Sequence, residues 1–166
     1  MRIYFPATVE DLVALRDRQP LKLSQGFAAI DEWVVAQDET DAEVLEDYLL
    51  YSAAEASLEL GDNRRGVHSR IVVVAELADA LVATIDAQAA LVGFGQEANS
   101  RGSRDQQESS GQAGSQIGLA PKSVQAVFVD DQRARDFIKK GETAEDESLS
   151  WFGPTEGQNI LEFLGR

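Results

Sequence analysis

Cysteine is absent from the 166-residue chain, which excludes disulfides, thiolate metal sites and thiol nucleophiles together. Histidine occurs once, at His68, so no metal site can draw two imidazoles from one chain. Only four prolines are present and hydrophobic residues make up 43%, a balance that argues against global disorder. No apolar run nears the roughly 20 residues needed to span a bilayer. The opening Met1-Arg2-Ile3-Tyr4-Phe5-Pro6 lacks the apolar core of a signal peptide. These absences lead us to expect a cytoplasmic protein with no membrane association, no metal and no cofactor.

Basic residues are scarce as well. The formal charge is −14, and from Asp31 to Asp62 eleven acids stand without a single Lys or Arg. Such a field repels phosphate backbones, whose binding depends on cations, so a nucleic-acid partner is not expected. Its plainest use is solubility. Two sharper uses are an acidic face that meets a basic partner and one that imitates nucleic acid.

What is present reads as a single domain over residues 1–166, long enough to bury one core. Residues 2–5 read as a short strand stopped by Pro6. Thr8 is placed to cap a helix running to about Arg18, with Glu10 and Asp11 in its first turn, where the helix dipole favours acids. A weak strand is expected at Gly26–Ile30, and Asp31 begins a helical turn that carries Trp33. Arg70-Ile71-Val72-Val73-Val74-Ala75 reads as a central strand covered on both faces. Further strands are expected at 90–94, Val124–Val129 and Leu149–Phe152, with a short helix between the last two ended by Lys139-Lys140-Gly141. Gln96–Gly118, rich in Ser, Gly and Gln, reads as a flexible insert within the domain.

The longest helix is expected from about Asp41 to Leu60. At helical spacing Ala42, Leu45, Leu49, Ala53, Ala56 and Leu60 form its core stripe. Val44, Tyr48, Tyr51 and Leu58 fall on nearly the opposite side and form a candidate interaction surface. A second copy, another protein, or Trp33 with the C-terminal Ile160–Leu164 segment would cover it. The expected fold is α+β: a mixed sheet of four to six strands with helices packed on it and one long helix mid-chain. Two β-α-β units would cross over with the right hand.

Few motifs carry chemistry. Gly93-Phe94-Gly95 starts like a dinucleotide fingerprint but lacks its third glycine and the helix that should follow. Asp38, Glu39, Asp41 and Glu43 have partial calcium-loop spacing without the glycine or the closing glutamate. His68 reads as an exposed residue ahead of the central strand. Trp151-Phe152 is either a core pair with one ring inward or a partner-binding patch. Asp130-Asp131 is the strongest catalytic candidate, because it lies where a strand hands over to a helix, the end at which open α/β sheets place ligands. Paired carboxylates there could hold Mg²⁺ or act as acid and base; an Asp at that point is also the ordinary helix N-cap. The Thr8, Glu10 and Asp11 group would share the sheet edge with them if the two strands were parallel neighbours.

Met1-Arg2-Ile3-Tyr4-Phe5-Pro6-Ala7-Thr8, Ala53-Ala54-Glu55-Ala56-Ser57, Val127-Phe128-Val129-Asp130-Asp131 and Leu149-Ser150-Trp151-Phe152-Gly153-Pro154-Thr155-Glu156 together resemble a family of small actinobacterial proteins of unknown function. Its members open Met-Arg-(Ile or Val)-Tyr-x-Pro-Ala-Thr. The resemblance implies a bacterial, cytoplasmic source and carries over no catalytic residue. Two classes of function stay open: a protein-interaction or self-associating domain using the second stripe of the long helix, and a small-molecule enzyme using carboxylates at strand ends, its ligand unspecified.

Overall fold

A computed structural model of the protein describes residues 1–60, 68–94, 117–144 and 148–166. Its central strand is β4 (Ile71–Glu76), in which Ile71, Val72, Val73, Val74 and Ala75 are all buried. β-Branched side chains on both faces suit a strand covered from two sides. β4 lies between β1 (Arg2–Pro6) and β8 (Val124–Asp130), antiparallel to each, with Tyr4 opposite Val74 and Val129 opposite Ile71. β3 (Gln25–Phe27), β6 (Leu91–Phe94) and β5 (Val82–Asp86) extend the sheet beyond β1, and β9 (Leu149–Phe152) extends it beyond β8. The order is β5-β6-β3-β1-β4-β8-β9. A separate ladder joins β2 (Leu21–Leu23) to β7 (Ile117–Leu119).

The expected mixed sheet of four to six strands is therefore corrected to seven, and every pairing among the described residues is antiparallel. The additional strand, β5, is an edge strand with four of its five residues exposed. A strand that buries almost nothing leaves little hydrophobic pattern to read. The expected crossovers also give way. β8 and β9 are adjacent and antiparallel, with Leu149 opposite Asp130. The chain leaving α4 (Gln132–Lys140) thus returns to the edge from which α4 departed before β9 begins. In the first unit, the strand following α1 (Val9–Arg16) pairs with β7 outside the main sheet.

Alternation along β1 and β4 assigns the two faces. Arg2 and Tyr4 bond Glu46, and Arg70 bonds Glu55, so the face of Tyr4, Val72 and Val74 lies under α3 (Ala42–Glu59). α3 is 18 residues long, begins at Asp41, whose carboxylate accepts from the Glu43 N–H, and packs on β1, β3 and β4. The opposite face carries Phe5, Val73 and Phe152. Phe152 meets Phe163 of α5 (Gly157–Phe163) edge to face, with ring centroids 5.3 Å apart. α1 packs on α5, and Arg135 of α4 lies 5.3 Å from the Phe163 ring, so these three helices share one layer. Ile160 and Leu161 are buried in that layer rather than over α3, and Trp33 of α2 (Asp31–Ala36) is buried in the core. Residues 96–116 of the expected insert lie outside the described residues, and Ile117 and Gly118 fall in β7.

Candidate functional site

β1 and β8 run in the same direction because each is antiparallel to β4, and their last residues reach one edge of the sheet. They are not neighbours; β4 separates them, and the residue it places there is Arg70. Arg70 is fully buried, as is Asp130. Its Nη2 and Nε donate to Asp130 Oδ1 at 2.8 and 3.0 Å, and its backbone N–H donates to Oδ2 at 2.6 Å. Nη1 reaches Glu55 Oε1 on α3 at 3.3 Å, and the guanidinium carbon lies 5.9 Å from the Tyr51 ring centroid. Ser57 joins the cluster from the same helix: its hydroxyl donates to the Ala54 carbonyl at 2.6 Å and accepts from the Ile71 N–H at 3.0 Å.

Burial pushes the Asp130 carboxyl above its ordinary range, while the Arg70 side chain, its backbone N–H and its charge pull the other way. For Arg70, burial acts to lower the pKa, and the Asp130 and Glu55 carboxylates more than offset it, so the guanidinium is held more firmly protonated. Isolated, either charge would carry a desolvation penalty of several kcal/mol. Together, with a bidentate contact, they satisfy each other.

Two further carboxylates at this edge, Asp131 and Asp11, are engaged in local caps. Asp131 accepts from the Ala134 N–H at 2.9 Å and is the N-cap of α4. Asp11 accepts from the Thr8 N–H at 2.9 Å and from the Thr8 hydroxyl at 2.8 Å, closing a capping box on α1. Asp130 and Asp131 are therefore adjacent in sequence but turned to different tasks. His68, half-buried, lies beside α4 in a hollow with Arg135 and Lys139. Among the described residues no three His, Cys, Asp or Glu side chains gather as a metal site would require.

On the α3 side the helix stops short of β8 and β9, and the uncovered strip becomes a groove of about 410 Å³. Its lining includes Tyr4, Asp47, Leu50, Phe128 and Trp151. Trp151 is 62% exposed and stands opposite Phe128, which is half-buried. Phe152 points the other way into the core. Of the second helical stripe, Tyr48 is 56% and Val44 37% exposed, while Tyr51 and Leu58 are half-buried. Tyr51 turns toward Arg70, so the four residues do not form one uniform surface.

The sequence points to Asp130 and Asp131 as a pair and gives no role to Arg70, Glu55 or Ser57, which the structure gathers around Asp130. One signal was available: an arginine heading an otherwise apolar buried strand requires a carboxylate. A family model for a family of unknown function (DUF6912) matches residues 1–161. The chain belongs to that family. No curated protein and no solved structure matches it. No helix among the described residues is long and apolar enough to cross a membrane.

Proposed function

We propose that the protein is an interaction domain that receives a basic protein partner on the outer side of α3 and in the groove beside it. The observation that carries this reading is the exposure of Tyr48 and Trp151 at the border of an acidic helix. Aromatic faces beside carboxylates suit Lys and Arg side chains, which gain from the ring quadrupole and from the charge together. Asp47 borders the same groove, beside Glu46, which Arg2 already holds at 2.8 Å. A symmetric contact between two copies through α3 would set acid against acid, since residues 31–60 contain no Lys or Arg. A basic partner is favoured over a second copy for that reason. Carboxylate chemistry at the strand ends draws less support, because Asp130 and Asp131 already serve Arg70 and the α4 cap.

The test uses the full chain and synthetic amphipathic peptides rich in Lys and Arg, titrated while Trp151 fluorescence is followed. Binding that weakens with salt and falls about tenfold or more in Trp151→Ala and Asp47→Asn supports the reading. Equal binding by those variants sinks it. A dimer in sedimentation that Tyr48→Glu abolishes would put a second copy in place of the basic partner.

A further inference from the structure

A second cavity, with a different chemistry, lies at the start of β8, where α1 ends against α5. It holds about 550 Å³, within the range that small organic ligands occupy. Leu15 and Val124, both buried, give it an apolar floor. Arg16, Arg18 and Lys122 stand around it, and Thr155 and Gln158 add neutral hydrogen-bonding groups. Among the described residues no Asp or Glu lines it, in a chain with 29 acids against 15 Lys and Arg. Asp17, just outside, is bonded to Arg16 at 2.7 Å. The side chains of Arg18 and Lys122 form no hydrogen bond or ion pair with another described residue.

Backbone geometry adds an independent observation. α1 ends in a paired turn in which the Arg18 N–H donates to the Leu15 carbonyl and the Gln19 N–H to the Ala14 carbonyl. That turn needs its penultimate position in the left-handed region, where glycine is the usual occupant. Here an arginine takes it, at φ 55°. A side chain held in a conformation that glycine would adopt without strain points to a use for that side chain. Gly157 plays the complementary part: a Cβ there would meet the Arg16 backbone at 2.9 Å, so only glycine lets α5 close the wall against the end of α1.

We infer that this cavity binds a small phosphate monoester whose apolar part is about the size of one ring. A doubly charged headgroup matches Arg18 and Lys122, which pair with no other described residue, and the neutral donors better than a carboxylate does. The apolar part would sit on Leu15 and Val124. A soluble ester is favoured over a phospholipid, because the net charge of −14 opposes approach to an anionic bilayer.

The experiment titrates the full chain with phenyl phosphate by calorimetry, beside inorganic phosphate, benzoate and benzyl alcohol, and includes sedimentation with vesicles containing phosphatidic acid. Phenyl phosphate is expected to bind below about 10 mM, tighter than each comparison compound, with no vesicle binding. Arg18→Gln and Lys122→Gln should each weaken it about tenfold while leaving the melting temperature in place. Arg18→Gly should weaken it as much and melt no lower than the parent, since it removes the strained residue. Absence of binding, equal binding by the Arg18→Gln/Lys122→Gln double variant, phosphate binding as tightly as its phenyl ester, or capture by vesicles alone would each overturn the inference.

Discussion

Arg70 and Asp130 meet inside the sheet edge with no exposure on either side chain, and three separate hydrogen-bond donors of Arg70 (Nη2, Nε and the backbone N–H) converge on the one carboxylate. The contact joins residues 60 positions apart and locks the first residue before β4 to the last residue of β8. Its energetic sense is asymmetric. A paired buried ion is roughly neutral relative to an apolar replacement, whereas a half-removed pair is strongly destabilising.

Asp130→Asn is accordingly expected to lower unfolding free energy by about 3–5 kcal/mol, because it leaves the guanidinium buried beside a neutral amide. Asp131→Asn should be nearly silent, since asparagine caps as well as aspartate, and Asp131→Ala should cost about 0.5–2 kcal/mol. Urea denaturation of the three variants measures this. A mild Asp130→Asn with a severe Asp131→Asn would reverse the assignment of roles.

Glu55 reaches the same guanidinium from an exposed position, with 55% of its side chain in solvent. Screening there limits the pair, so Glu55→Gln should cost no more than about 1 kcal/mol. A loss as large as that of Asp130→Asn would mean that the two carboxylates share the charge equally.

Tyr4 supplies a pH dependence with a definite sign. Burial first, and the nearby Glu46 carboxylate second, push its phenol from 10.0 up to about 12. The folded state thus holds the proton longer than the unfolded state. The resulting stability is present in full below pH 10 and is lost as pH rises from 10 toward about 12. Its size is on the order of 2 kcal/mol. The difference between alkaline absorbance titrations of the parent and Tyr4→Phe should show a phenol with a midpoint near 12. A midpoint at the ordinary tyrosine value would contradict the buried contact with Glu46.

The two tryptophans provide a direct reading of the groove. Trp33 is 7% and Trp151 62% exposed. Trp151→Phe should leave blue-shifted emission that acrylamide quenches poorly, with stability changed by no more than about 0.5 kcal/mol. Red-shifted, readily quenched emission from that variant would place Trp33 at the surface instead.

Gly26 in β3 tests the packing between strands. A Cβ there would meet Ile3 Cγ2 at 2.7 Å and the Tyr4 carbonyl at 2.8 Å, with Phe5 Cδ1 at 2.9 Å. Backbone cannot yield as a flexible side-chain end does, so Gly26→Ala should cost about 1–3 kcal/mol in thermal or urea unfolding. A neutral Gly26→Ala would show that β3 stands farther from β1.

Local sequence determined the parts of the fold whose signals are local. Apolar β-branched runs mark β4, buried on both faces, and β8, most of whose residues are buried although its α3-side face opens at Phe128. Thr8, Asp131 and Gly141 mark helix ends because capping involves only residues within a few positions. The α+β class follows from the same kind of reading. Tertiary structure alone decided what Asp130 does, since its partner lies 60 residues away and no spacing rule joins them. It decided the antiparallel order of seven strands, because strand direction depends on where connecting chain returns and not on the strand's own residues. It also decided which apolar side chains of α3 stay in solvent. Helical spacing puts Tyr48 and Tyr51 on the same broad side, yet in the fold Tyr51 lies half-buried near Arg70 while Tyr48 stays exposed.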